Sequence, residues 1–303
     1  MVTTVKNTTT QTTKLRSVSN VRAAETAAAP GEIDATPGFG GRASVHDSIS
    51  VRDLVVRGTE PFKRRRRPAK GALESLIDED ERARILDTDL APWRMICALD
   101  IRTRYGKFMG TGWFAGPRTV ITAGHCVYDA QMGGWAEEII VRPGLSGTRA
   151  PYEPQAAREF STTDRWLESY DPDFDYAAIH LGEGARVVTE ATGWFATSAL
   201  NDAALLSQRV NVAGYPGDKG GDTQWFHAKQ VVFVQEHRIF YDVDTIAGQS
   251  GAPVWLDTDE GPRVVGVHAY GVGASVPSIK ANSAPRITST VLERFRAWIE
   301  NEP

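Results

Sequence analysis

The sequence contains only two cysteines, Cys97 and Cys126, among its 303 residues. Two cysteines are too few for a disulfide-rich scaffold or for a zinc site built from four thiolates. Both lie in apolar stretches, which favours buried free thiols. A bridge between them stays open, because spacing along the chain does not determine separation in space.

Long apolar runs are also missing. No stretch approaches the roughly 18 consecutive apolar residues of a membrane-spanning helix, so no membrane span is predicted. Residues 1–30 lack the continuous apolar region of a secretory signal peptide. Export by a standard signal peptide is therefore unsupported.

The net charge of −4 is unevenly distributed. Residues 1–74 carry 13 Lys and Arg against 7 Asp and Glu, whereas residues 75–303 carry 21 against 31. An acidic body lacks the basic face that phosphate binding needs, which argues against nucleic acid as a partner. The run Lys63–Arg67 is predicted to be a solvated, protease-sensitive linker, with nucleic-acid or membrane binding as the alternative.

The chain divides into two parts by composition. Residues 1–74 are rich in Thr, Ala, Ser, Gly, Pro and Arg and lack a sustained apolar period. We expect a largely disordered leader, apart from a short element at SISVRDLVVRG. From about residue 90, short apolar runs such as RTVITA, YAAIHL, RVNVAG and APVWL alternate with turns. This spacing is typical of an all-β barrel or sandwich.

The C-terminal segment has a helical pattern instead. One helical face carries Val291, Leu292, Phe295, Trp298 and Ile299. Thr290 with Glu293 fits a capping box. The pattern predicts one amphipathic helix that closes the β domain.

Ser250 lies between glycines in the stretch TIAGQSGAPVW, residues 245–255. Such a composition is common in surface turns, and this is the simplest interpretation. The flanking runs YDVDT and APVWL are strand-like, however, so the glycines lie within the sheet region. Glycine there allows the backbone N–H groups of Gly248 and Ser250 to converge on one point, as an oxyanion hole requires.

A nucleophilic serine needs a base and a group that orients the base. His125 follows a buried run and the small pair Ala-Gly, although a core histidine is the alternative. Asp175 leads into the apolar run YAAIHL, so we expect it to be buried and to need a partner such as an imidazole N–H. Asp171 and Asp173 flank a proline and are predicted to be turn residues. The order His125, Asp175, Ser250 is that of the chymotrypsin-type triad.

Several stretches together carry a family resemblance: GTGWFAGPRTVITAGHCVYD, FDYAAIHL, GYPGDKGGDTQWFH, DTIAGQSGAPVW, VVGVHAYG and PRITSTVLERFRAWI. Over residues 75–303 the sequence resembles the chymotrypsin-fold serine proteases, and in particular the bacterial glutamyl endopeptidases. The resemblance implies two antiparallel six-stranded β-barrels with the active site between them. It also implies a serine endopeptidase that acts on protein or peptide substrates. No cofactor or metal is predicted, because no loop carries clustered ligand spacing.

The resemblance further implies the residues of the specificity pocket. Thr245 and His268 match the threonine and histidine that hold the substrate carboxylate in glutamyl endopeptidases, and His227 matches a histidine whose role stays open. The family also uses a freed α-amino group near the pocket. The stretch after Glu74 resembles the mature start, so Ser75 is the predicted new N-terminus and residues 1–74 the pro-segment.

One position departs from the family pattern. Family members often have a cysteine that bridges to the one beside the catalytic histidine, whereas this chain has Gly110. With no signal peptide, this fits a protein in a reducing compartment, against the family's usual secretion.

Three alternatives stay open: a non-catalytic binding module, a protease selective for Asp or small aliphatic residues, and a regulated protease whose leader binds a partner. The sequence does not determine the oligomeric state.

Overall fold

The computed structural model describes residues 31–41, 76–77, 79–272 and 280–300. The strands are β1 (Glu32–Thr36), β2 (Ala83–Arg84), β3 (Ile96–Thr103), β4 (Gly106–Phe114), β5 (Thr119–Thr122), β6 (Tyr128–Asp129), β7 (Gly134–Trp135), β8 (Glu138–Pro143), β9 (Gln155–Ala157), β10 (Glu159–Thr162), β11 (Ala177–His180), β12 (Ala196–Leu200), β13 (Arg209–Gly214), β14 (Trp225–Val234), β15 (Arg238–Tyr241), β16 (Pro253–Thr258), β17 (Gly261–Val267) and β18 (Asn282–Pro285). The α-helices are Gly124–Val127, Asp164–Ser169, Ala185–Thr192, Asp202–Leu206 and Ser289–Glu300, and 3-10 turns span Trp93–Met95, Ala130–Met132, Pro172–Phe174 and Gly217–Lys219. None of these helices is long and apolar enough to cross a membrane.

The strands form two main sheets, which confirms the predicted all-β class with a C-terminal helix. The first barrel is a seven-stranded sheet in the order β10-β11-β5-β4-β3-β8-β9. The second barrel is a nine-stranded sheet in the order β1-β12-β17-β16-β13-β14-β15-β18, with β2 added at β14. Within these sheets the pairs are antiparallel except for the parallel pair β12–β17. Both sheets hold more strands than the six expected for each barrel, partly because β1 and the two-residue β2 join the second.

Alternating side chains build the barrel interiors. In β8 the pattern EIIVRP buries Ile139 and Val141 and leaves Glu138, Ile140 and Arg142 half-exposed. Such alternation follows from the pleat, which sends successive side chains to opposite faces. Between the barrels lies an aromatic cluster that includes Trp93, Trp113, Tyr176, Phe195, Tyr215, Phe226, Trp255 and Phe295. This cluster joins the two barrels into one body.

The C-terminal helix Ser289–Glu300 confirms the predicted apolar face, since Val291, Leu292 and Phe295 are buried. The predicted capping box at Thr290 and Glu293 is wrong. The cap is Thr288, whose Oγ1 accepts a hydrogen bond from the Val291 N–H at 3.3 Å. Thr290 lies inside the first turn, because the helix begins one residue before it.

The leader differs from the expected disorder in the part that the structure describes. Within residues 31–41, the strand β1 (Glu32–Thr36) pairs antiparallel with β12. Its sequence, EIDAT, has little apolar character and does not by itself predict a strand. The pairing with β12 stabilises the strand instead. The predicted element SISVRDLVVRG and the basic run Lys63–Arg67 lie outside the described residues.

Candidate active site

The pairing of β5 with β11 brings His125 and Asp175 together. Thr122, at the end of β5, lies opposite Ala177, at the start of β11. Residues just after β5 and just before β11 therefore meet at one end of the sheet. His125 Nδ1 lies 2.7 Å from Asp175 Oδ2, and the backbone N–H of His125 donates to Asp175 Oδ1 at 2.8 Å.

Asp175 is fully buried, as the sequence predicts. A Cβ atom at Gly124 would lie only 2.9 Å from Asp175 Oδ1, which explains the small residue before His125. Asp171 caps the turn Pro172–Phe174 by accepting the Asp173 N–H at 3.1 Å. Asp173 lies 3.1 Å from the Nε atom of the buried Arg238. Both are thus turn and ion-pair residues, and only Asp175 contacts the histidine.

The Asp175 carboxylate dominates the electrostatics of His125. Burial opposes the charged imidazolium, but the Asp175 carboxylate and Cys126 outweigh it and raise the pKa of His125 well above its usual value. The other ring nitrogen, Nε2, is buried and has no hydrogen-bond partner among the described residues. A buried polar atom without a partner calls for an explanation, and a catalytic role is one.

Tyr270 completes the surroundings of the pair. Its ring lies 6.4 Å from that of His125, and the Arg238 guanidinium lies 4.8 Å from the centre of the Tyr270 ring. Burial and then Asp175, through charge and a side-chain hydrogen bond, raise the pKa of Tyr270 far above its usual value. The tyrosine therefore stays a neutral hydrogen-bond donor beside the carboxylate.

Ser250 lies in a tight loop between the barrels. Gly248 and Gly251 flank it with φ values of 105° and 88°, a region that favours glycine. A Cβ atom at Gly251 would lie 2.2 Å from the carbonyl oxygen of Thr111, so the loop approaches the first barrel too closely for any side chain there. The Sγ atom of Cys126 lies 3.7 Å from the Ser250 carbonyl oxygen. The loop that carries Ser250 therefore contacts the residue next to His125.

Thr111 on β4 holds this loop by two hydrogen bonds and makes a third to Tyr215. Its N–H donates to the Ser250 carbonyl at 2.9 Å, and its Oγ1 donates to the Gly248 carbonyl at 2.8 Å. The same hydroxyl accepts the Tyr215 N–H at 3.0 Å. On the other side, Gly251 N–H donates to the His268 carbonyl at 2.7 Å.

The two predicted pocket residues flank this loop and are fully buried. Thr245 Oγ1 has no hydrogen-bond partner among the described residues. His268 Nδ1 lies 2.6 Å from the Tyr241 hydroxyl. Burial, with a smaller effect of His125, lowers the pKa of His268 to about 3, so this imidazole is neutral. A neutral ring bonded at Nδ1 presents Nε2 as its remaining polar atom.

The segment that begins the predicted protease domain is anchored next to Thr245. Ser75 and Glu74 lie outside the described residues, but Ile77 is buried and its N–H donates to Asp244 Oδ1 at 2.6 Å. The other carboxylate oxygen of Asp244 accepts the Glu81 N–H at 3.1 Å. Asp244 directly precedes Thr245, so the chain that follows Ser75 reaches the pocket wall.

His227, whose role the sequence left open, supports this anchor. Its Nδ1 accepts the Asp244 N–H at 2.8 Å, and burial with nearby Lys229 lowers its pKa to about 4. Glu81, His227 and Asp244 each offer a ligand atom within 4.8 Å of the others. Each of the three already has a protein partner: Glu81 forms an ion pair with Lys229, His227 accepts the Asp244 N–H, and the Asp244 carboxylate accepts backbone N–H groups.

Arg82 ties the same segment to the Ser250 loop. Its guanidinium pairs with Asp80 at 2.8 Å and Asp218 at 2.6 Å, and lies 3.4 Å from the side-chain oxygen of Gln249. Gln249 directly precedes Ser250. The first residues of the domain thus contact both the pocket and the loop.

The two cysteines are buried and free, so they do not bridge to each other. A Cβ atom placed on Gly110 would lie 2.9 Å from Cys126 Sγ. A cysteine at this position would meet Cys126, in agreement with the bridge that the family resemblance implies.

Sequence reasoning did not identify Thr111, Tyr270, Arg238 or Arg82. Thr111 and Tyr270 lie in the stretches GTGW and VVGVHAYG that carry the resemblance, but no local pattern distinguishes them from core residues. An arginine within an apolar strand, as Arg238 is in RIFYDV, is the one signal that indicates a buried charge.

Comparisons with known proteins agree with this geometry. A family model described as a trypsin-like peptidase domain matches residues 110–267. The glutamyl endopeptidase of Bacillus licheniformis is 34% identical over 252 residues, which cover 80% of this chain and 75% of that protein. A Bacillus subtilis protein named extracellular metalloprotease is 34% identical over 231 residues, covering 74% of this chain and 69% of its own. The solved structure of a Glu endopeptidase in complex with MPD shares the fold, with a TM-score of 0.65, 24% identity and coverage of 75% of this chain and 100% of that one. The chain therefore belongs to the trypsin-like peptidase family and is a serine endopeptidase.

Proposed function

We propose that the protein cleaves peptide bonds after glutamate through an acyl-enzyme on Ser250, with His125 as base and Asp175 as its orienting partner. One observation carries the assignment of the base: His125 Nδ1 is bonded to the buried Asp175, while Nε2 is buried without a hydrogen-bond partner among the described residues. The contact between Cys126 and the Ser250 carbonyl supports the choice of Ser250 as nucleophile.

The steps follow from these roles. Ser250 Oγ attacks the carbonyl carbon of the scissile bond while its proton passes to His125 Nε2. The carbonyl oxygen becomes an oxyanion, which the N–H groups of Gly248 and Ser250 stabilise. His125 then gives the proton to the leaving amine as the C–N bond breaks. Water repeats the attack on the acyl-enzyme, releases the acid and restores the Ser250 hydroxyl.

The preference for glutamate rests on the chemistry of Thr245 and His268. A buried hydroxyl without a partner is costly, and a substrate carboxylate would satisfy it. The neutral His268, bonded through Nδ1 to Tyr241, offers a second polar contact. A hydroxyl and an imidazole donate to a carboxylate without a buried lysine or arginine. Aspartate is the second candidate, since the same two groups would bind its carboxylate.

We also propose that the protein is made as a zymogen that is cut between Glu74 and Ser75. The bond from Ile77 N–H to Asp244, which is next to Thr245, supports a role for the new N-terminus beside the pocket. A Glu-specific enzyme could make this cut itself. N-terminal sequencing of the larger fragment, separated from the leader under denaturing conditions, is expected to begin at Ser75, and a Glu74→Ala chain whose larger fragment still begins at Ser75 would contradict self-processing.

A peptide library tests the activity and the specificity together. Wild-type protein, before and after the cut between Glu74 and Ser75, is compared with Ser250→Ala. We expect cleavage after glutamate by the processed wild type and none by the variant. Labelling of Ser250 with a fluorophosphonate separates a protease of other specificity from a non-catalytic binding module, which would not be labelled.

A further inference from the structure

Residues 31–41 of the leader lie along the outer edge of the second barrel. Strand β1 pairs with β12, with Thr36 opposite Thr197 and Glu32 opposite Leu200. The backbone bonds continue beyond the strand, where Phe39 and Trp194 exchange N–H···O bonds of 2.9 and 2.7 Å. None of these contacts involves a residue of the candidate active site.

Charge complementarity holds the strand in register. Glu32 lies 2.9 Å from Arg263 and accepts the Ser198 hydroxyl at 2.7 Å. The Asp34 carboxylate accepts bidentate hydrogen bonds from Arg296 on the C-terminal helix, at 3.0 and 2.6 Å. These two acids occur in a leader that is basic in total. Bidentate pairs with arginine are among the stronger charged contacts.

Glycines on both sides make the close approach fit. A Cβ atom on Gly38 would lie 2.4 Å from the Ala196 backbone nitrogen. On the body, Gly193 has a φ of 75°, and a Cβ there would lie 2.1 Å from the Phe39 carbonyl oxygen. The Phe39 and Trp194 rings then pack with centres 4.7 Å apart. The fit is therefore specific to this stretch of leader and not a generic strand addition.

Without this segment, β12 would be the edge strand of the nine-stranded sheet. Thr36 is buried against Thr197, which is also buried, and the two hydroxyls are hydrogen-bonded. Removal of the segment would expose the backbone groups of β12, a liability that folded proteins normally cover. The body thus gains protection of an edge from the leader.

We propose that residues 31–41 are a lasting strand of the mature protease, which stays bound without a covalent link after the chain is cut between residues 41 and 76. The contacts lie wholly between residues 31–41 and the body, so a cut in the connecting chain removes none of them. This inference goes beyond the proposed activity and does not depend on which protease makes the cut.

The test uses the full chain in a Ser250→Ala background, so that self-cleavage plays no part. A recognition sequence for a site-specific protease replaces residues 59–65, and the cut protein is run on size exclusion under native conditions. We expect the leader fragment to co-elute with the body. Elution of the two as separate species would overturn the proposal, whatever the outcome for catalysis.

Two leader variants make the test specific. Gly38→Ala adds a methyl group against Ala196 and is expected to weaken retention on the order of tenfold to a hundredfold. Gly40→Ala is the matched control, because a Cβ there meets no atom within 4 Å. At equal concentration, the cut control is expected to unfold at a higher temperature than the cut Gly38→Ala protein. Equal behaviour of the two variants would contradict the docking.

Discussion

The backbone N–H of Thr111, on a strand of the first barrel, donates a 2.9 Å hydrogen bond to the carbonyl oxygen of Ser250 in the second barrel. The Thr111 hydroxyl bonds both the Gly248 carbonyl and the Tyr215 N–H. One buried side chain therefore positions the Ser250 loop against the barrel that carries His125.

Replacing this hydroxyl tests the role of Thr111. In Thr111→Val the shape is kept, but two buried backbone groups lose a partner at a cost of roughly 1–3 kcal/mol each. We expect a lower Tm and a kcat that falls by on the order of tenfold, measured on a Glu-containing peptide. Thr111→Ser keeps the hydroxyl and should retain most activity, and an active, fully stable valine variant would contradict the assignment.

Removal of the Asp175 charge has a predictable pH effect. The carboxylate raises the His125 pKa, and the reaction needs neutral His125, so the acidic limb of kcat/KM follows that pKa. In Asp175→Asn we expect this limb to move to lower pH, while kcat falls by about 10,000-fold. A pH profile of residual activity measures both. An unchanged acidic limb would mean that Asp175 does not control the base.

The Tyr270 hydroxyl is expected to modulate the same titration. Its hydrogen bond withdraws charge from Asp175, so Tyr270→Phe should raise the His125 pKa further and move the acidic limb to higher pH. The ring and its contact with Arg238 are retained in this variant. Tyr152→Phe is a matched control, because that hydroxyl donates to the backbone carbonyl of Asp89 instead. A shift to lower pH, or the same shift in the control, would contradict this role.

Thr245 is expected to act on specificity and not on chemistry. Thr245→Val removes a hydrogen bond to a charged substrate group, worth about 1.5–3 kcal/mol. For substrates with glutamate at the cleaved position, kcat/KM should fall roughly 10- to 150-fold, whereas the glutamine analogue should change little. Paired kinetics on the two peptides measure the difference. Thr245→Ser should restore the preference, and an equal loss on both peptides would point to misfolding.

A cysteine introduced at Gly110 is expected to bridge to Cys126. The distance of 2.9 Å from the Gly110 Cβ position to Cys126 Sγ is close to the separation of about 3 Å across a disulfide. Closing so short a loop stabilises by about 3 kcal/mol. Thiol titration of unfolded, oxidised Gly110→Cys should find only Cys97 reactive, and the Tm should rise. Three reactive thiols would contradict the predicted approach.

Much of the site was predictable because its residues carry local signals. The glycines around Ser250, the small pair before His125 and the apolar run after Asp175 each reflect a local constraint that is visible in the chain. The face of the C-terminal helix was predictable for the same reason, whereas its cap was placed two residues late because Thr288 and Thr290 offer the same hydroxyl. Thr111 and Tyr270 were not identified, because a buried threonine or tyrosine has the same pattern whether or not it contacts a reactive group.

By itself, the sequence determined the class of chemistry, the order of the three proposed catalytic residues and the strand-rich body, since each depends on residue type and short-range periodicity. Only the tertiary structure decided that Glu32–Thr36 is a strand, that Thr111 joins the two barrels, and that Ile77 anchors at Asp244. These contacts join residues far apart in the chain, and their stability comes from complementary partners on the other side. No local pattern encodes such a partner. The same polar stretch is stable as a strand only where the folded body provides an open strand edge, an arginine to pair with its acids and a glycine that allows close approach.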